Sequence, residues 1–170
     1  MKYKPMLAYP VSKKPIDYSK PVFIQPKLDG VRCLIQCNPN KMVIAYSRTG
    51  KVWKNIDHIL NELIPFFAEH PSVVLDGELY NHDFKDDFES IISMVRKTKP
   101  TDEDRLISRE NVQFHCYDIV NRRMKFSTRD EWLKGNLPKN YCIKCVETLQ
   151  TDKAQANFIH LVLLFQTTLP

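Results

Sequence analysis

The chain has 170 residues and a mass of 20.0 kDa, enough for one domain that buries about two-thirds of its unfolded surface and, on this count, too little for a second. Hydrophobic residues at 43% and charged residues at 26% match a globular average and exclude a disordered, collagen-like or coiled-coil chain. A formal net charge of +5, from 25 Lys+Arg against 20 Asp+Glu, permits contact with phosphates or nucleic acid without demanding it.

Met1 to Gly30 carries lysines, prolines and Asp17 but no uninterrupted apolar stretch, and the longest apolar run, Leu161 to Phe165, is far too short to span a bilayer. A cytoplasmic protein with no membrane partner is therefore expected. Five cysteines, an odd number, argue for reduced thiols rather than a disulfide framework. Cys142-Ile143-Lys144-Cys145 has the spacing of a zinc knuckle, but tetrahedral zinc needs four ligands and no second pair follows. A strand is expected there, and no metal site.

In chain order, Pro5, Pro10, Pro15, Pro21 and Pro26 punctuate an extended lead-in. Val22 to Ile24 and Val31 to Gln36 read as strands, and the turn Asn38-Pro39-Asn40 leads into a third, Met42 to Ser47. Ile56, Ile59, Leu60, Leu63 and Ile64 fall at helical spacing, with an end expected near Pro65, and Ser72 to Tyr80 returns to strand. Phe88, Ile91, Ile92 and Val95 share one face of a second helix. Lys97 to Arg109 is polar, contains Pro100 and reads as a loop; Asn111 to Val120 alternates as a strand. Thr128 to Gly135 reads as a short helix closed by glycine, Tyr141 to Val146 as a strand, and Thr151 as the N-cap of a last helix running to His160. Helices and strands are mixed without regular βαβ order, which argues for an α+β fold of antiparallel sheets flanked by helices.

Only four glycines occur, and three sit in polar clusters: Lys27-Leu28-Asp29-Gly30-Val31-Arg32, Ser47-Arg48-Thr49-Gly50 and Asp76-Gly77-Glu78. No G-x-G-x-x-G or phosphate-cradling loop is present. Lys27 ends an apolar strand with Arg32 close beyond it. A lysine amine, with an ordinary pKa of about 10.4, becomes nucleophilic when a neighbouring cation or metal favours its neutral form. The plainer reading is a surface lysine in a turn, paired with Asp29. Arg48 offers a guanidinium fork for phosphate or ribose hydroxyls. Glu78, in an otherwise apolar strand, costs several kcal/mol to bury unless a cation or hydroxyl partners it, by the usual penalty of roughly that size.

These three clusters, followed by Phe114-His115-Cys116-Tyr117-Asp118-Ile119-Val120, stand in an order that resembles the adenylation domain of ATP-dependent DNA ligases, particularly the compact ligases of phages and large DNA viruses. The resemblance runs from about Pro5 to about Thr151. It implies that Lys27 attacks the α-phosphate of ATP to give lysyl-AMP and pyrophosphate, that AMP passes to the 5′-phosphate of a nick, and that the 3′-hydroxyl displaces it. It further implies ribose contacts from Arg32 and Glu78, a ribose or nick-phosphate contact from Arg48, adenine stacking by Tyr117, reading of the adenine edge by Gln25, and support from Asp29. Magnesium is the default metal of a triphosphate site. The partner implied is nicked double-stranded DNA, the state a monomer, and the location the host cell if a phage encodes the chain.

Two departures accompany the resemblance. The family's later Glu-Gly cluster is missing, and the only Lys-x-Lys pairs, Lys2-Tyr3-Lys4 and Lys97-Thr98-Lys99, precede the tyrosine cluster. With the apolar, uncharged run from Leu161 to Pro170, this leads us to expect residues 1–170 to be a partial adenylation domain without its OB-fold domain, from a truncated or frame-shifted gene. RNA ligases and mRNA capping enzymes share K-x-D-G and stay open as alternatives, as does an inactive remnant that binds nucleotide or DNA.

Overall fold

Polar residues placed on alternate positions of otherwise apolar strands organise the fold. Arg32 in β2 (Val31–Cys37) and Asp76 and Glu78 in β4 (Val74–Tyr80) project from one face of an antiparallel pair, in which Arg32 lies opposite Glu78 and Leu34 opposite Asp76. With β3 (Val43–Tyr46), β5 (Gln113–Ile119) and β6 (Ile143–Cys145), these strands form a five-stranded sheet in the order β3-β2-β4-β5-β6. The other face of the sheet carries Cys33, Ile35, Ala45, Leu75, Leu79, Phe114 and Cys116, all fully buried. Helices α1 (Asp57–Glu62), α2 (Ile64–Glu69), α3 (Phe88–Val95) and α5 (Phe126–Asn136) contribute Ile59, Phe67, Val95 and Leu133 to the same core, with Leu63 from the junction of α1 and α2.

The computed structural model describes residues 10, 12–20, 22–85 and 87–151. Among these, Lys27–Val146 form one compact unit; residues up to Pro26 and from Glu147 onward form another. In the second, β1 (Val22–Ile24) pairs antiparallel with β7 (Leu149–Thr151). No described helix is long and apolar enough to cross a membrane.

The fold is α+β with antiparallel sheets flanked by helices, as expected, with one exception: β6 runs parallel to β5. The chain reaches β6 through α5, which supplies the long crossover that a parallel neighbour requires.

Four element readings are corrected. Pro65 does not end the helix of residues 56–64; it sits in the first turn of the new helix α2, where a missing N–H costs nothing because no carbonyl awaits it. The expected loop Lys97–Arg109 contains α4 (Asp102–Asn111), whose N-cap Thr101 and Asp104 form a reciprocal capping box. Its three acids in the first turn and Arg109 in the last complement the helix dipole, so local electrostatics replace the apolar stripe that periodicity looks for. Asn111 accordingly closes α4 rather than opening β5. Thr151 is no N-cap: it is buried in β7 opposite Val22, a place that suits a β-branched residue. The helix expected beyond it lies outside the described residues.

The helical face of α3 holds for Ile91, Ile92 and Val95, which are buried, whereas Phe88 is 37% exposed at the helix start. Gly77 is fixed by contact: an added Cβ would stand 2.4 Å from the His115 carbonyl oxygen and 2.6 Å from the Phe114 ring. Gly135, near the end of α5, has nothing within 4 Å of that position. Gly77→Ala is therefore expected to cost about 3 kcal/mol through overpacking, while Gly135→Ala gains up to about 1 kcal/mol of helix propensity. Urea unfolding of the two variants beside the wild type measures both, and equal shifts would contradict the packing assigned to β4 and β5.

Candidate active site

Burying a charge demands a partner, and the polar face of the sheet is built around one such pair. Arg32 donates from Nε and Nη2 to the two carboxylate oxygens of Asp76, each at 2.6 Å, with both side chains largely buried. The guanidinium also lies over the Tyr117 ring, 5.0 Å from its centroid, an arrangement favoured by the ring's negative face. The Tyr117 hydroxyl donates to Glu78 Oε2 at 3.4 Å.

Tyr117 shares this face with His115 by strand alternation, and a β-bulge brings its neighbour Asp118 to the same side. Pairing between β4 and β5 jumps from Gly77 opposite Cys116 to Asp76 opposite Asp118, which leaves Tyr117 as the extra residue. Cys116 and Ile119 stay buried on the core side, while Tyr117 and Asp118 are both turned away from it. Asp118 is held in turn by Arg129 of α5, through bonds of 2.7 and 2.9 Å.

The electrostatics follow from burial. Desolvation pushes the Glu78 carboxyl up to about 7, against the opposing pull of Arg32 and the Tyr117 hydroxyl. Burial likewise raises Asp76, with its bond to Arg32 pulling the other way. Tyr117 is pushed well above its ordinary value, by burial and then by the charge on Asp76, so the phenol remains a donor. His115, opposite Glu78 in the ladder, is lowered to about 4 by burial and the nearby Lys144.

Lys27 lies before β2 with its side chain 83% exposed and its ammonium donating to Asp29. The plain surface pairing thus occurs. Lys27, Leu28, Asp29, Gly30, Glu78, Lys85 and Phe88 together line a cavity of about 470 Å³. Gly30 closes its floor: a Cβ there would meet the Leu79 carbonyl oxygen at 2.4 Å and Glu78 Cγ at 2.7 Å, so only glycine lets the Lys27 loop lie on β4.

Of the residues singled out from the sequence, Lys27, Asp29 and Glu78 share this cavity, and Glu78 connects through Tyr117 to Arg32. Arg32 does not stand as a free cation for Lys27, because its charge is committed to Asp76. Arg48 is exposed in the turn after β3, where Ser47 accepts from Gly50 and Gly50 takes φ 86°, and it does not line the cavity. Gln25 belongs to the smaller unit, where its Nε2 donates to Thr148 Oγ1 at 2.9 Å. The sequence pattern places Asp76 in a polar cluster and Phe88 on a helix face without assigning either a role at the site, and it does not single out Lys85. Strand alternation could have found Asp76, since residues two apart share a face; nothing local marks Lys85.

Residues 5–160 match the family described as the ATP dependent DNA ligase domain. The chain belongs to that family. Among solved structures, this ligase domain is similar to one named Pmar-Lig_Pre., at 25% identity and a TM-score of 0.67, over 91% of this chain and 38% of that one. A structure from work on Lig E DNA ligases gives a TM-score of 0.69 at 19% identity, over 98% and 59%. An archaeal ATP-dependent RNA ligase gives 0.54 at 20%, over 86% and 36%; the last two show likeness of fold alone. The ligase domain described here thus spans between 36% and 59% of the length of these structures.

The elevated Glu78 carboxyl has a consequence for stability. Glu78 binds its proton more tightly folded than unfolded, so its contribution falls as pH rises from its ordinary 4.5 through about 7. His115 acts in the opposite sense between about 4 and 6.5 and cancels between variant and wild type. Glu78→Gln is expected to gain in melting temperature relative to wild type as pH goes from 4.5 to 7.5. Thermal unfolding across that range checks it, and a difference independent of pH would contradict the burial of Glu78.

Proposed function

We propose that this ligase domain takes an adenylyl group from ATP onto Lys27 and passes it to the 5′-phosphate of a DNA nick. The observation that carries this reading is that Lys27 and Glu78 open on one cavity over Gly30, so the amine and a hydroxyl-binding carboxylate meet the same ligand. A cavity of about 470 Å³ lies within the usual range for ligand pockets, roughly 300–1,000 Å³.

In the first step the neutral Lys27 amine attacks the α-phosphorus. A P–N bond forms, the bond to the bridging oxygen breaks, and pyrophosphate leaves with the electron pair. The amine's proton departs along the existing contact to the Asp29 carboxylate. Glu78 accepts from a ribose hydroxyl, Arg32 supports the ribose, Tyr117 offers its ring to the adenine, Gln25 reads the adenine edge, and Arg48 takes a ribose or nick phosphate. In the second step an oxygen of the nick 5′-phosphate attacks the same phosphorus and the Lys27 nitrogen leaves, recovering its proton; the 3′-hydroxyl then displaces AMP. Asp29 and Glu78 are the oxygen donors that suit magnesium, which when bound with the triphosphate neutralises its charge. Most of the acceleration asked of the protein is positioning and electrostatic stabilisation.

Membership of the DNA ligase domain family supports DNA as the acceptor, and a parallel assay on RNA ends keeps the choice open to refutation. Incubation with α-labelled ATP is expected to leave acid-stable label on the wild type and none on Lys27→Ala, and the label should be discharged by nicked DNA. Label from GTP would point to capping chemistry, discharge only by RNA ends to an RNA ligase, and no label with nucleotide still raising the melting temperature to a binding remnant.

A further inference from the structure

The Lys27 cavity holds a second cation to which the proposed adenylyl transfer gives no role. Lys85 lines it together with Lys27, Asp29 and Glu78, and no ion pair to Lys85 forms among the described residues. The short segment that carries it is anchored at both ends. On the β4 side, Asn81 is buried, donates from Nδ2 to the Asn111 carbonyl at 2.9 Å, and accepts from the Asp83 amide through its side chain. A single 3-10 turn, His82–Phe84, follows, and the Lys85 amide donates to the His82 carbonyl at 3.1 Å. Beyond it, α3 is pinned to the core by Ile91, Ile92 and Val95.

Charge then decides what Lys85 meets. A nucleoside triphosphate brings several negative charges into a cavity whose other lining side chains include two acids, Asp29 and Glu78, that offer its phosphates no positive charge. Lys27 must give up its own charge to act as nucleophile. Among the described residues lining the cavity, Lys85 is the cation that then remains, beside any magnesium bound with the triphosphate, to oppose the charge that accumulates as the P–O bond breaks.

Resting on the lysyl-AMP reading above, we propose that Lys85 binds the β- and γ-phosphates of ATP and holds the departing pyrophosphate. The site thereby discriminates a triphosphate from a monophosphate through a residue outside the four sequence clusters. Lys85 carries no role in the second step, in which AMP alone remains.

The test compares ATP, AMP and pyrophosphate on the purified full chain by calorimetry and by formation of the labelled adduct. Lys85→Ala is expected to weaken ATP binding roughly tenfold, the loss of one charged hydrogen-bonding partner, and to slow labelling in proportion. It should leave AMP binding unchanged. Reversal of the adduct should need about tenfold more pyrophosphate, by the same reasoning, while discharge by nicked DNA proceeds at the wild-type rate. Lys85→Arg should restore most of the loss and Lys85→Gln none. Equal weakening of ATP and AMP, or no change in either, overturns the assignment of Lys85 while the wild type still labels; a wild type that neither labels nor binds ATP overturns the lysyl-AMP reading and this inference with it.

Discussion

Asp76 and Glu78 leave the same face of β4 two residues apart, and the guanidinium of Arg32 on the neighbouring strand is what lets both remain there. Two half-buried carboxylates side by side would each pay desolvation and repel the other. Arg32 answers Asp76 with a bidentate bond and adds its charge to the field at Glu78. Everything on the polar face is arranged around that commitment: the Tyr117 ring beneath the guanidinium, its hydroxyl on Glu78, and Asp118 tied off by Arg129 so that it does not compete for Arg32.

The backbone makes this crowding possible by two departures from regularity. At Gly77 the absence of a Cβ lets β5 approach within contact of β4, and immediately beside it the ladder slips by one residue. Without the slip, Asp118 would alternate onto the core face, where its charge would need a partner among buried apolar side chains, and Ile119 would leave the core. A bulge next to a glycine thus turns a strand with period two into one that sends two consecutive polar residues to the same side. Gly30 performs the matching service from the other direction, by letting the Lys27 loop lie flat on Leu79 and Glu78.

Much of this was legible in the sequence. The strands carrying Arg32 and Glu78 and the helix carrying Ile91, Ile92 and Val95 are marked by plain apolar periodicity, and the glycines in polar clusters marked where backbones approach closely. What stayed hidden has physical reasons. Helix α4 is stabilised by caps and dipole complementarity around Thr101 and Asp104 rather than by an apolar stripe, so a reading tuned to hydrophobic period sees a loop. The partner of Arg32 is set by register between β2 and β4, which no local pattern encodes; proximity in sequence suggested Lys27, and pairing across strands chose Asp76. Lys85 reaches the Lys27 cavity only because the bridge from β4 to α3 is short and pinned at Asn81.

The resulting site has two parts with different mechanical character. Arg32, Asp76, Glu78 and Tyr117 are linked by hydrogen bonds and ring contact on the face of a sheet whose opposite side is the hydrophobic core. Their positions are therefore set before any ligand arrives, which is the condition for electrostatic stabilisation without reorganisation. Lys27 is the opposite: an exposed side chain held by one surface ion pair, an interaction worth at most about 1 kcal/mol. A group bound so weakly is readily drawn off Asp29 by a competing anion. A fixed wall facing an amine free to swing off its carboxylate is the division that the proposed covalent transfer in two directions requires: on that reading Lys27 has to take the adenylyl group and also let it go.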